Sequence, residues 1–193
     1  MAFTQLSDFI ALLEQRGQLN RIRAEVSAEL EITEIVDRVS KGPLDHNVAL
    51  LFERVAGYDM PVLINSLGHP QRMAWALGVT HLDELTEKLS ALLDLRLPQG
   101  LVGTLTRAGQ VVGSLRAVGL GPHIVKKAPV QEVVQTGDEV DLTRLPILKC
   151  WPDDGGRYIT LPTVITRDPE TGARNVGMYR LQVYDARTLG MHW

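Results

Sequence analysis

Near the C-terminal end, Asn175-Val176-Gly177-Met178-Tyr179-Arg180-Leu181-Gln182-Val183-Tyr184 gathers an amide, a guanidinium and, at Gly177, open backbone. Arg presents a rigid fork of donors to carboxylate or phosphate, and Gly admits close approach, so the stretch suits an anionic ligand. Met178, Leu181, Val183 and Tyr184 can line a strand, with Asn175 and Gly177 at a turn or tight approach. The same residues also describe an ordinary strand with a surface Arg. Local chemistry alone leaves both readings open.

Other reactive side chains are scattered. Cys150 follows Lys149, which could lower a thiol pKa, but a lone Cys beside Trp151 also reads as a small packed hydrophobe. His192 has no carboxylate near it in sequence, Lys126-Lys127 reads as a solvated doublet, and His81 and Asp83 read as polar groups at a helix end. No P-loop, dinucleotide-binding glycine pattern, zincin helix, EF-hand or nucleophile elbow is present. A single cysteine excludes an internal disulfide and a multi-cysteine zinc site.

The elements that must position these groups change in texture along the chain. Leu6, Phe9, Ile10, Leu12 and Leu13 recur at helical spacing before Gly17, and Leu19 to Val26 reads as a half-buried strand. Ser27 is placed to cap a second helix through Ile32, Ile35, Val36 and Val39, stopped by Gly42-Pro43. Strands follow over Val48 to Val55 and Pro61 to Asn65, then helices beginning at Pro70 and Thr80. This α/β pattern runs through residues 1–97. A glycine-rich connecting region, 98–121, separates it from 122–193. There the pattern predicts short strands over Val130 to Gln135, Ile159 to Thr166, Asn175 to Tyr184 and Leu189 to Trp193, with Pro162 at an edge or bulge. The fold class expected is α+β, with an antiparallel sheet or barrel after the α/β part.

Composition narrows the function classes. Hydrophobic residues make up 45% and charged residues 22% of the chain, and net charge is −3 without a Lys/Arg-rich run, so no nucleic-acid partner is expected. Apolar runs such as Val48 to Phe52 are strand-sized, giving no transmembrane segment, and the acidic Asp8 and Glu14 argue against a signal peptide. A soluble, cytoplasmic protein is expected.

Taken in order, the segments resemble the N-terminal part of the UbiD family of decarboxylases. The likeness runs from the helix Leu6 to Gly17 through Leu30-Glu31-Ile32-Thr33-Glu34-Ile35, Ala49-Leu50-Leu51-Phe52-Glu53, Gly57 to Leu63 and Gly68-His69-Pro70. It continues through Asp141-Leu142-Thr143-Arg144-Leu145-Pro146-Ile147-Leu148-Lys149-Cys150-Trp151-Pro152 and Asn175 to Arg180. The resemblance implies an N-terminal α/β domain followed by the start of a split β-barrel of the flavin-reductase kind. It implies prenylated FMN as cofactor, with Mn²⁺ or Mg²⁺ and often K⁺ bridging the cofactor phosphate to protein. The reaction implied is reversible decarboxylation of a small aromatic or α,β-unsaturated acid, such as a polyprenyl 4-hydroxybenzoate in ubiquinone biosynthesis.

By position, the resemblance makes Asn175 a metal ligand and Arg180 a catalytic residue. Thr160, Met178, Tyr179, Arg180, His192 and Trp193 become cofactor-binding residues. Family members are longer: a further His and Glu ligand, the general acid and an oligomerising domain lie beyond Trp193. The chain is therefore expected to be the truncated N-terminal region of a homo-oligomeric enzyme, inactive by itself. A non-catalytic flavin-binding or assembly module is the alternative. An ordinary split-barrel flavin reductase would need a nicotinamide site, and no residue suggests one.

Overall fold

The computed structural model describes residues 3–93 and 125–192, so the connecting region 98–121 and Trp193 lie outside the described residues. Met1–Leu82 together with Gly137–Trp193 forms one compact unit, and Asp83–Thr136 forms a second.

In the first unit, helix α1 (Leu6–Gln15) buries Phe9 and Leu13 and ends in two tail bonds: Gly17 N–H to the Glu14 carbonyl (3.0 Å) and Gln18 N–H to the Leu13 carbonyl (2.7 Å). That pairing needs a left-handed residue at position 17, and Gly17 supplies it at φ 64°. Strand β1 (Leu19–Val26), helix α2 (Glu31–Ser40) and strand β2 (Ala49–Val55) form a βαβ crossover with β1 and β2 parallel. Strand β3 (Val62–Ile64) then pairs antiparallel with β2. Because successive strand residues face opposite ways, Leu50 and Phe52 pack toward Ile32 of α2, while Ala49 and Leu51 pack toward Phe9 and Leu13 of α1. The unbroken apolar run of β2 is the signature of a strand covered on both faces. Each fully buried large side chain, such as Phe52, Leu13 and Ile32, contributes about 2 kcal/mol.

The entry to α2 differs from expectation. Ser27 does not cap the helix; Leu30 does, at φ 64°, and the Ser27 hydroxyl accepts the Glu29 N–H (3.0 Å) while Glu31 accepts the Ser27 N–H (2.7 Å). The reason lies far along the chain: the Lys149 carbonyl accepts the Leu30 N–H (2.9 Å), and the Lys149 N–H bonds Ala28 (3.2 Å). Leu148 packs against the Val26–Ala28–Ile32 cluster, so the segment leading to the C-terminal sheets is part of this core.

Helix α3 (Pro70–Ala76) opens with Pro70 at its first position, and the His69 Nδ1 accepts the Gln71 N–H at 3.0 Å. From α3, Arg72 enters the interior, fully buried, and all five of its donors are met. Nε bonds the Ser66 carbonyl, Nη1 the Gln18 side chain and the Asn47 carbonyl, and Nη2 the Asn47 side chain and the Asn65 carbonyl.

Among the described residues the C-terminal sheets are small and none closes into a barrel. Strands β4 (Arg157–Ile159), β7 (Arg180–Val183) and β8 (Leu189–His192) form an antiparallel sheet in the order β4-β7-β8, while β5 (Thr163–Arg167) and β6 (Arg174–Met178) form a separate hairpin. The expected single strand from Asn175 to Tyr184 is thus broken at Tyr179, where the chain leaves one sheet for the other. Its partner breaks at the same place. Pro162 lacks an N–H and Leu161 holds φ 61°, so β4 and β5 are likewise separated. Pairing resumes from Ile159↔Leu181 on one side to Thr163↔Met178 on the other, so three residues (160–162) oppose two (179–180). One extra residue on one strand is a bulge, which turns the corner.

In the second unit, helix α4 begins at Asp83 and runs to Leu93. The strand expected over Val130 to Gln135 is absent. Pro129–Gln131 forms a single 3₁₀ turn, with Val130 and Val133 exposed; Pro129 presets the first turn and gives no ladder donor.

Candidate functional site

The sheet β4-β7-β8 builds a cleft from strand periodicity alone. Arg180 and Gln182 of β7 and Tyr184, just past its end, alternate along one side; Tyr158 of β4 sits opposite Gln182, and on β8 Gly190 sits opposite Gln182 and His192 opposite Arg180. These residues, with Met191, line a cleft of roughly 300 Å³. The alternate residues Ile159, Leu181 and Val183 take the other face.

Arg180, one of the residues lining this cleft, is held in place. Its guanidinium carbon lies 3.9 Å from the centroid of the Tyr158 ring, a stacked cation–π arrangement, and its Nη2 lies 3.4 Å from Asp154 Oδ2. The loop supplying Asp154 is tied down: the Asp154 carboxylate accepts the Trp151 N–H (3.1 Å), and the Gln182 amide donates to the Gly155 carbonyl (3.1 Å). The Tyr184 hydroxyl lies where a Cβ at Gly190 would be, so the ring rests over that glycine. The arrangement offers a fixed cation, an imidazole and two phenol rings, which suits a planar acid or a flavin phosphate.

A second cluster forms on the hairpin. Asn175 and Gly177 share a face of β6, and Tyr179 folds back along it so that the Asn175 Nδ2 donates to the Tyr179 hydroxyl at 2.9 Å. A Cβ at Gly177 would lie 2.6 Å from the Tyr179 ring, so this fold-back needs glycine. The Asn175 amide nitrogen is engaged by Tyr179, and its amide oxygen is of a kind that suits a hard cation. Among the described residues no cluster of three His, Cys, Asp or Glu could hold a metal, so Asn175 could serve as one ligand of a set and not as a complete site.

The residues singled out from sequence divide accordingly. Arg180 and His192 are brought side by side, and Asn175 meets Tyr179. Met178 belongs to the opposite face of the hairpin with Ile165 and Val176, all exposed. Thr160 lies exposed in the bulged corner, and Trp193 is outside the described residues. Cys150 is half-buried beside Trp151. Sequence reasoning missed Asp154, Tyr158, Gln182 and Tyr184. The period-two spacing of Arg180, Gln182 and Tyr184 was the available signal.

Two family models match the chain: the 3-octaprenyl-4-hydroxybenzoate carboxy-lyase N-terminal domain over residues 10–92, and the Rift-related domain of the same carboxy-lyase over residues 123–193. An uncharacterized protein of Archaeoglobus fulgidus is 46% identical over 193 residues, covering 100% of this chain and 38% of the relative. Among solved structures, an evolved dimeric form of the UbiD-class enzyme HmfF from Pelotomaculum thermopropionicum in complex with prFMN is 31% identical with TM-score 0.71, covering 99% of this chain and 38% of that one. The open form of vanillic acid decarboxylase from Sedimentibacter hydroxybenzoicus is 29% identical with TM-score 0.72, covering 98% of this chain and 36% of that one. The chain thus spans well under half the length of these relatives, yet the two family models between them take in most of its residues: it belongs to the UbiD family.

Proposed function

We propose that the chain is the N-terminal region of a prenylated-FMN-dependent decarboxylase acting reversibly on aromatic or α,β-unsaturated carboxylic acids. The observation that carries this reading is Arg180, a held cation lining a cleft with Tyr158 and Tyr184, in a chain whose relative HmfF was solved with prFMN. Arg180 orients the carboxylate that is to leave and stabilises the charge that develops as it departs. His192, Gln182 and the phenol side chains of Tyr158 and Tyr184 line the same cleft. Asn175 would offer its amide oxygen as one ligand to a divalent cation, Mn²⁺ or Mg²⁺. When bound, the prenylated flavin supplies the electron sink, and this chain supplies position and field. The β4-β7-β8 sheet and the β5–β6 hairpin make up the beginning of a split barrel in this reading. Polyprenyl 4-hydroxybenzoate is one acid of the right class.

The test is CO₂ release from a panel of phenolic and unsaturated acids by the complete translated product, produced with a prenylated-FMN supply. The wild type should turn over at least one acid, and Arg180→Ala should lose roughly 100-fold or more in kcat/KM, the scale of one lost charge-stabilising group. Wild-type rates in Arg180→Ala would remove Arg180 from its role. A protein that retains flavin but releases no CO₂ would favour a flavin-binding module instead.

A further inference from the structure

We propose that Asp154 is a positioning residue for Arg180: with the Tyr158 ring it fixes the guanidinium and offsets its charge, so that an acid is oriented in the cleft without being held tightly. The inference rests on the reading of the cleft as an acid-binding site.

Asp154 is the better buried of the two, its side chain 14% exposed against 42% for Arg180. A carboxylate withdrawn this far from water needs partners, and it has two: the Trp151 N–H at 3.1 Å and Arg180 Nη2 at 3.4 Å. It is also rigidly placed. The Asp154 N–H returns a bond to the Trp151 carbonyl (3.1 Å), closing the turn from both ends, and the Gly155 carbonyl is fastened to Gln182 of β7. A Cβ at Gly155 would lie 3.1 Å from the Gln182 amide nitrogen, so the loop rests against the strand that carries Arg180. Ring and carboxylate act on different features of the guanidinium. Tyr158 sets its plane and Asp154, engaging Nη2, sets its rotation within that plane, while the donors on Nε and Nη1 lie outside Asp154's hold.

The charge consequence follows from Coulomb's law. A fixed negative charge beside Arg180 weakens the hold on an incoming carboxylate while the orientation is kept. Removing that charge should therefore tighten binding and impair turnover together, a split that a residue merely closing its own turn would not produce.

Asp154→Asn separates the two roles, because the amide oxygen still accepts the Trp151 N–H while the charge is gone. In the complete translated product, Asp154→Asn should bind benzoate about 3- to 10-fold more tightly by titration calorimetry, as expected for losing one charge a few ångströms away in a half-exposed site. With prenylated FMN bound, KM for the acid should fall and kcat should drop about tenfold, and Asp154→Glu should recover part of kcat. Unchanged or weaker benzoate binding in Asp154→Asn overturns the proposal, as does an unchanged kcat. If no acid is decarboxylated by the wild type, the decarboxylase reading fails, yet tighter benzoate binding by the variant would still uphold Asp154. If the wild type binds no benzoate, the Asp154 proposal fails, while turnover of another acid would still uphold the decarboxylase reading.

Discussion

Arg72 and Arg180 are both well anchored, and their surroundings divide the molecule into a region that is finished and a region that is open. Arg72 is fully buried and spends every donor on neutral oxygens from Gln18, Asn47, Asn65 and Ser66, with no carboxylate partner among the described residues. Burial pushes its pKa below the usual arginine value, but guanidinium is basic enough to stay charged. A guanidinium so used can bind nothing else, and it locks the starts of β1 and β2 to the end of β3 and to α3. Arg180, by contrast, rests on a ring, shares one donor with Asp154 and remains accessible. The hydrophobic faces follow the same division. Leu50, Phe52 and Ile32 are sealed between sheet and helix, whereas Ile165, Val176 and Met178 stand 58 to 65% exposed on the hairpin. Saturated polar groups mark structure; a fixed group with spare donors marks a site.

The contrast is broken most directly at Arg72. Arg72→Met keeps the volume but leaves the Asn47, Asn65, Ser66 and Gln18 oxygens without their donor, and urea unfolding should show a loss of about 3–5 kcal/mol. Arg180→Met, which disturbs one long ion pair and a ring contact at the surface, should change stability by no more than about 1 kcal/mol. Equal losses at the two positions would dissolve the distinction between strut and site.

A smaller effect sharpens the same point on the hairpin. Tyr179→Phe removes the acceptor that turns the Asn175 amide, and Gly177→Ala drives a Cβ into the Tyr179 ring. If Asn175 is a cation ligand, either change should weaken Mn²⁺ binding to the flavin-loaded complete product about tenfold, the usual scale for losing a partner that orients a ligand. Electron paramagnetic resonance of free Mn²⁺ during titration reads this without turnover. Unaltered affinity in both variants would leave Asn175 to orient itself.

The N-terminal region was legible because burial imposes periodicity. The spacing of Phe9 and Leu13, the apolar run of β2, Gly17 and Pro70 each report a local physical demand, and the elements fall where those demands place them. Arg72 was not legible. A charged residue on a short helix reads as surface, and its acceptors at Gln18, Asn47 and Asn65 are brought to it only by the tertiary fold. The break at Tyr179 escaped for a related reason, since Met178 to Leu181 has the composition of one strand and only the partner's Leu161-Pro162 corner divides it. Arg180 was visible as a chemical group. Its neighbours Asp154 and Tyr158, more than twenty residues earlier, were not.

His69 gives the finest test of how tightly the finished region is coupled. It caps α3 by accepting the Gln71 N–H through Nδ1, which requires the neutral ring, because a protonated imidazole has two donors and no acceptor. Burial first, and then the charge of Arg72, hold its pKa below the ordinary 6.5. The sign follows: a depressed folded pKa means the cap contributes fully above pH 6.5 and is lost as pH falls through the lower folded value. A cap of this kind is worth about 1 kcal/mol. His69→Ala should therefore lose about that much stability at pH 7.5. His69→Asn, whose side chain caps without titrating, should match the wild type at pH 7.5 and exceed it at pH 5. Thermal melts followed by circular dichroism at the two pH values decide it. If wild type and His69→Asn run parallel between them, the cap does not titrate, and the charge of Arg72 does not reach the helix start.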